Sequence, residues 1–173
     1  MPVLKKVVLS VFIGFIVVVL ALGFVFFNLK SNSVYYAQHT PHKAEMEPVL
    51  MEVTRNLDWI YSPDIKGIKY DYDGYRNIYN NKYGRDEGAN FAYLFSEEYS
   101  YDDGNFSLYT FDKRFRLISV WNEKTLEFTS KPVDVSAVKR DIYRVVQPVI
   151  DAQPEPLINL QWIYDWVNKD RFN

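Results

Sequence analysis

The sequence predicts an α+β protein in which an N-terminal transmembrane helix precedes a two-layer extracytoplasmic domain. An uncharged apolar run fills residues 7–27, and short aromatic and β-branched runs alternate with turn residues between positions 90 and 130. Apolar residues with helical spacing flank that second region on both sides. We therefore expect a helix, a four- to five-stranded antiparallel meander and two C-terminal helices, in that order.

The apolar run reads VVLSVFIGFIVVVLALGFVFF. At about 1.5 Å of rise per residue, a helix of this length matches a hydrocarbon layer of roughly 30 Å. Lys5 and Lys6 precede the run and Lys30 alone follows it, so we expect a cytoplasmic N-terminus and a C-terminal domain in the periplasm or outside the cell. A cleaved signal sequence is the alternative, with Ser31 and Ser33 as a weak cleavage site.

The chain of 173 residues is long enough for one domain beside this helix. Residues 28–43 are polar, contain Pro41 and show no periodicity, which predicts a stalk. The chain has no cysteine, so it has neither a disulfide framework nor a lipidation site. The predicted division is therefore a cytoplasmic stub (1–6), a transmembrane helix (7–27), a stalk (28–43) and an extracytoplasmic domain (44–173).

The elements of that domain follow from local patterns. Apolar spacing of three and four predicts a helix over 45–61, with Pro48 tolerated near its start. Hairpin signals predict strands at 90–96, 106–111, 116–121 and 126–130, and Tyr70 to Tyr72 resemble a further short strand.

Two helices are predicted after the strands. Asp134 or Ser136 is placed to cap a helix that runs to about Ala152, and Pro148 predicts a kink or a broken last turn in it. A final helix is predicted from Leu157 to about Lys169.

A tyrosine-rich stretch, KYDYDGYRNIYNNKYG, occupies residues 69–84. Its last three tyrosines recur every four residues and would form one stripe on a helix, although the asparagines between them are poor helix formers. Tyrosine combines an apolar ring with a hydroxyl, which suits a protein interface or a sugar-stacking platform. The alternative is that these rings fill the core and rim of a sheet. The candidate partner-binding residues are Tyr70, Tyr72, Tyr75, Tyr79 and Tyr83.

Two charged groups are also candidates. Glu97 and Glu98, with Asp102 and Asp103, supply the residue type of a glycoside hydrolase, although acids at strand ends are more often solvated turn residues. Lys113, Arg114 and Arg116 lie in a predicted hairpin turn and suit an acidic partner or wall polymer; a turn that keeps hairpins soluble is the alternative.

No catalytic, metal or cofactor signature is present in the sequence. His39 and His42 fall in the predicted stalk, and the acidic turns do not match a calcium loop. All 22 acidic residues follow the apolar run, whereas three of the 20 basic residues lie before residue 31, and the resulting acidic domain argues against nucleic acid.

We therefore expect a non-catalytic binding module of the cell envelope, anchored by residues 7–27, that contacts another protein through its tyrosine-rich surface and charged turns. Two alternatives stay open. The first is a glycan-binding protein or glycan hydrolase that uses the Glu97 and Glu98 carboxylates. The second is an immunity-type protector against a toxin.

Overall fold

The computed structural model describes residues 2–85, 88–94 and 96–173, with side chains described from residue 6 onward. Phe95, which the sequence places in a strand, lies outside the described residues. In the described part, five helices accompany seven strands. The helices are α1 (Pro2–Ser31), α2 (Ser33–His39), α3 (Pro48–Arg55), α4 (Val135–Asp151) and α5 (Gln161–Phe172). The strands are β1 (Ile68–Asp71), β2 (Arg76–Asn80), β3 (Ala89–Tyr93), β4 (Tyr99–Asp102), β5 (Ser107–Phe111), β6 (Leu117–Asn122) and β7 (Glu127–Phe128).

Helix α1 contains the apolar run. Within its segment Lys6–Ser31, the most apolar window of 18 residues has a mean hydropathy of 3.0 and is not buried against any part of the described chain. A helix that is apolar on every side and uncovered by its own domain suits a membrane span or a signal sequence. It is therefore not a core helix of the domain that follows.

The seven strands form one antiparallel meander in which spatial neighbours are also neighbours in the chain. The α+β class, the antiparallel sheet and the C-terminal helices are thus confirmed, whereas the predicted strand number is wrong. Two of the extra strands, β2 and β4, lie in segments that resemble turns or a marginal helix in sequence. Tyr79 belongs to β2, so the four-residue spacing of tyrosines is not a helical stripe.

One face of the sheet carries the core. Ile78, Phe91 and Tyr101 are register partners across β2, β3 and β4, and all three are buried. Helices α3 and α4 cover this face, and their buried apolar residues include Leu50 and Ile142. Because burial of a large apolar side chain contributes about 1.5–3 kcal/mol, this layer is the main source of stability.

The largest difference between prediction and structure lies in the segment predicted as a stalk. Instead of a polar linker, residues 33–39 form α2, and Val34, Tyr36 and Ala37 belong to the core. The hydroxyl of Tyr36 donates to Asn28 Oδ1 at 2.6 Å and accepts from the backbone amide of Leu160 at 3.1 Å. The folded unit therefore begins near Asn28 rather than at residue 44.

Two helices also differ from the predicted ones in their boundaries. The helix predicted over 45–61 is the shorter α3, which starts at Pro48, a position where the missing amide hydrogen of proline costs nothing, and which ends at Arg55 with Asn56 as its C-cap. Helix α4 agrees with its prediction: Asp134 caps it by accepting from the Ala137 amide at 3.0 Å, and it ends at Asp151, one residue before the predicted end, with its last turn unbroken after Pro148. The last helix starts at Gln161 rather than at Leu157, and Pro154 and Pro156 lie in the non-helical segment that separates it from α4.

Two loops meet beside the sheet at a pair of glycines. Gly84 and Gly104 both have positive φ, and a Cβ atom on Gly84 would lie 2.7 Å from the Gly104 Cα. The Arg85 amide donates to the Gly104 carbonyl at 2.8 Å. Glycine is required here both for backbone conformation and for close approach.

Candidate binding cleft

The candidate tyrosines do not form a single surface. Tyr70 packs on the core side and its hydroxyl donates to the Pro63 carbonyl at 3.0 Å. Tyr72 and Tyr75 are exposed in the turn between β1 and β2, whereas Tyr83 is exposed beyond the opposite end of β2. Tyr79 lies in β2 on the face away from the core, in register with Asn90. The structure therefore spreads the five rings over two ends and two faces of the sheet.

The candidate acidic cluster is divided in the same way. Glu97 and Glu98 precede β4, whereas Asp102 is its last residue and Asp103 follows it. Asp102 accepts from the Gly104 amide at 2.8 Å, and Asp103 accepts from the Ser107 amide at 3.0 Å, so both carboxylates organise the turn before β5. Burial raises the pKa of the Asp102 carboxyl above its ordinary value.

A cleft lies instead beside the turn between β5 and β6. Its volume is about 310 Å³, and we name it the basic cleft. A smaller cavity of about 100 Å³ adjoins it and shares Arg114 and Arg171 with it. The basic cleft is lined by Arg55, Tyr93, Glu97, Tyr99, Lys113, Arg114, Asp170 and Arg171.

Asp112 fixes the turn that carries Lys113 and Arg114. Its Oδ1 accepts from the backbone amides of Arg114 and Arg116, both at 2.9 Å, and its Oδ2 accepts from the Arg116 guanidinium at 2.6 Å. Partial burial disfavours ionisation of Asp112, but these hydrogen bonds outweigh it and lower the pKa of the carboxyl. The two cations therefore stand on a turn that is held by an ionised carboxylate.

The same turn is anchored in the core by an aromatic ring. Phe115 is fully buried and stacks on Phe111 with ring centroids 4.8 Å apart. Its φ of 59° lies in the left-handed region, which costs a non-glycine residue about 1–2 kcal/mol. Burial of the ring offsets that cost, because it removes a large apolar surface from water.

Arg171, which lines the cleft, is held by an ion pair between two helices that are distant in sequence. Glu52 of α3 is buried, and its carboxylate accepts from Arg171 of α5 and from the Asn56 amide. Burial disfavours the charged guanidinium, but the Glu52 carboxylate raises the pKa of Arg171. The Arg171 Nη2 atom is buried and has no hydrogen-bond partner among the described residues, so an unpaired donor lies behind the surface of the cleft.

Tyr99 adds a hydroxyl beside this cation. Burial raises the pKa of Tyr99 to about 12, while the positive charge of Arg171 acts in the opposite direction. The phenol therefore stays protonated at neutral pH and can donate a hydrogen bond.

Charge distinguishes the cleft from the rest of this acidic domain. Arg55 pairs with Glu97 at 3.8 Å, which balances one charge at the rim. Among the described residues, the two adjoining cavities bring together six basic and three acidic side chains. The basic residues are Lys43, Arg55, Lys113, Arg114, Arg116 and Arg171; the acidic ones are Glu45, Glu97 and Asp170. Such a site can bind a carboxylate or another anionic group through charge-assisted hydrogen bonds.

Sequence reasoning identified only part of this cleft. Lys113, Arg114 and Arg116 were candidates because they are consecutive charges in a turn, and Glu97 was a candidate carboxylate. Arg55 and Arg171 were missed because only the fold brings α3 and α5 together. No group of three or more metal-ligating side chains occurs within the described part of the chain.

Comparison with known proteins identifies no relative. No family model matches the chain, and neither a characterised protein nor a solved structure is significantly similar to it.

Proposed function

We propose that this chain is a membrane-anchored binding module of the cell envelope, and that its basic cleft holds an acidic segment of a partner protein. One observation carries the proposal: in a domain with an excess of acidic residues, basic side chains converge on one concave site with a buried unpaired donor. Helix α1 supplies the anchor, with its N-terminus in the cytoplasm and the domain on the opposite side.

Side-chain chemistry favours a protein partner. Arginine and tyrosine are enriched at protein interfaces, because each combines a large contact area with directional hydrogen bonds. Tyr93 and Tyr99 line the basic cleft next to Arg55 and Arg171. The tyrosine ring contact thus comes from Tyr93, with the hydroxyl of the buried Tyr99 behind it, rather than from the stretch at residues 69–84.

The test is a charge reversal at the turn. We expect the intact protein in detergent to bind a fluorescein-labelled glutamate decamer and to bind a lysine decamer far more weakly. Lys113→Glu combined with Arg114→Glu should weaken glutamate binding by about tenfold or more, since each lost factor of ten corresponds to about 1.4 kcal/mol. Fluorescence anisotropy at low and high salt measures both effects.

Lys66→Glu combined with Lys131→Glu is the matched control, because it also reverses two charges, on exposed residues that do not line the cleft. Equal binding by the double variant and by this control would contradict the proposal, as would an absence of saturable binding. A photocrosslinker placed at residue 113 in native membranes then identifies the partner. Recovery of a toxin as the crosslinked protein would favour the immunity-type role.

A second candidate function, glycan hydrolysis, is favoured by one observation. Glu97 and Asp170 line the same cleft, and the partly exposed Tyr93 lies beside them as a sugar-stacking residue. Glu97 is more than half exposed and pairs with Arg55, an arrangement unlike the apolar surroundings of a general acid. This activity would be established if the protein released soluble fragments from purified cell wall and the Glu97→Gln variant did not.

A further inference from the structure

A group of exposed apolar side chains surrounds the C-terminal end of α1. We name it the tryptophan face, and it consists of Trp59, Leu157, Ile158, Trp162, Trp166 and Val167. Trp162 and Trp166 are 71% and 68% exposed, and Leu157 is fully exposed. Three of the four tryptophans of the chain are thus on this face. Uncovered apolar surface of this extent marks an interaction site.

The tryptophan face is continuous with the apolar surface of α1. The Trp59 ring meets the Phe26 ring edge-on at 5.6 Å between centroids, and the Phe27 ring at 6.5 Å. Asn28 donates to the Ile158 carbonyl at 3.1 Å. Val167 lines a cavity of about 280 Å³ together with Phe26 and Leu29. Both ends of the face therefore contact the last turns of α1.

The orientation of α5 keeps its tryptophans out of the core. Tyr164 and Phe172 are buried, whereas Trp162 and Trp166, one helical turn apart, lie on the side of α5 turned away from them. A positive charge accompanies these rings, since the exposed Lys169 follows them on α5. Tryptophan with flanking lysine is typical of the boundary between lipid tails and headgroups.

We propose that the tryptophan face lies in the headgroup region of the bilayer crossed by α1, so that the domain rests on the membrane in one fixed orientation. This inference rests on the proposed anchoring by α1. A helix over residues 7–27 spans about 30 Å, which places Phe26 and Phe27 at the edge of the hydrocarbon layer. Trp59 and Ile158, which contact α1 there, then stand at the depth of the headgroups.

The orientation has a consequence for the basic cleft. Arg55 and Arg171 line both the basic cleft and the cavity against Phe26 and Leu29. With the tryptophan face on the bilayer, the cleft opens close to the membrane surface. The acidic segment that it binds is then the membrane-proximal part of a partner in the same membrane.

The test uses the intact protein in phosphatidylcholine vesicles. Four variants each keep one tryptophan and replace the other three by phenylalanine. Phosphatidylcholine brominated near the top of its acyl chains should abolish most of the emission of Trp59, Trp162 and Trp166, and that emission should be blue-shifted. Trp121, on the sheet face away from the helices, is the control and should keep its emission.

A second readout does not depend on the tryptophans. The chain contains no cysteine, so Leu157→Cys and Thr125→Cys each accept one environment-sensitive dye. The dye at position 157 should be quenched by brominated lipid, whereas the dye in the exposed turn at position 125 should not.

Two outcomes would overturn the proposed position of the tryptophan face but not the anchoring by α1. In protein that floats with the vesicles, water-like emission from Trp162 and Trp166 would mean that the face points away from lipid. Blue-shifted emission without quenching would mean that a second copy covers the face. Protein that fails to float would overturn the anchoring as well, whereas the cleft proposal is tested separately by the peptide.

Discussion

The buried carboxylate of Glu52 links residues of four helices or their caps. It accepts from Arg171 of α5 and from Asn56, which ends α3. Asn56 in turn donates to Ser33 of α2 at 3.0 Å and accepts from the Lys30 ammonium of α1 at 2.9 Å. Burial lowers the pKa of Lys30, with the Glu52 carboxylate opposing that shift. The end of α1 is therefore fixed to the domain by polar contacts as well as by packing.

Glu52→Gln should destabilise the protein strongly. The substitution leaves the Arg171 cation largely buried without its counter-charge, a change that costs about 3–5 kcal/mol. Because roughly 1 kcal/mol shifts Tm by about 2–4 °C in a domain of this size, we expect Tm to fall by roughly 10 °C. Thermal unfolding of the intact protein in detergent, followed by circular dichroism, measures the change.

Glu123→Gln removes the same charge from an exposed turn and should leave Tm within about 2 °C of the parent, since surface substitutions usually cost less than about 0.5 kcal/mol. A similar Tm for both variants would show that the ion pair contributes little. The double variant Glu52→Leu with Arg171→Met should recover much of the lost stability, since it removes both charges together.

At the scale of elements, sequence patterns predicted the strands with strong alternation and missed those that depend on tertiary context. Strands β5 and β6 agree with the predicted ranges to within one residue. Strand β2 was missed because Asn77 and Asn80 disfavour strands. Both are buried in the fold, and Asn80 donates to the Val145 carbonyl of α4 at 2.9 Å, a contact invisible in the sequence.

Strand β4 was missed for a related reason. Its sequence YSYD runs into Asp103 and Gly104, so the whole segment resembles a turn. Tyr99 and Tyr101 face the core as cross-strand partners of Tyr93 and Phe91. The candidate site was predicted only in part for the same reason. The short turn 112–116 could be predicted from the local sequence, whereas Arg55 and Arg171 join it only through helix packing.

Asp112→Ala should loosen the turn between β5 and β6 and weaken binding at the basic cleft. The folded state lowers the pKa of Asp112, so its contribution to stability is fully present above the ordinary carboxyl value near 4. That contribution is lost as the pH falls through the lowered pKa, which lies below the ordinary carboxyl value. The Tm of the parent should therefore fall as the pH drops below about 4, and the Tm of Asp112→Ala should fall less over the same range.

Asp73→Ala is the control, since Asp73 is an exposed turn residue outside the cleft. Its pH profile and its affinity for the glutamate decamer should follow those of the parent. Parallel Tm profiles for Asp112→Ala and the parent, together with unchanged peptide affinity, would refute the assigned role of the carboxylate.

At the scale of the whole molecule, α1 and the domain are one continuous structure. Asn28, in the last turns of α1, is buried and bonds to both Tyr36 and Ile158. Thr40, just after α2, donates to Asp165 of α5 at 2.8 Å. The segment predicted as a stalk therefore contributes to the core, because short polar residues there satisfy buried partners instead of facing water. Composition alone did not distinguish these two uses of the same residues.

A truncation series tests this boundary. A fragment of residues 28–173 keeps α2 and should fold, whereas a fragment of residues 44–173 loses Val34, Tyr36 and Ala37 and should not. Loss of Val34 and Tyr36 alone removes about 3–6 kcal/mol of apolar burial, comparable with the total stability of a typical domain of about 5–15 kcal/mol. The α3 surface that α2 covers would also be exposed.

Urea unfolding followed by tryptophan fluorescence compares the two fragments. We expect a cooperative transition for 28–173 and none for 44–173. A fragment of residues 28–173 with Tyr36→Phe keeps the packing but removes the hydroxyl contacts to Asn28 and Leu160, so it should unfold cooperatively at a lower urea concentration than 28–173. Equal midpoints for 28–173 and 44–173 would instead place the domain boundary at residue 44 and make α2 a dispensable extension of α1.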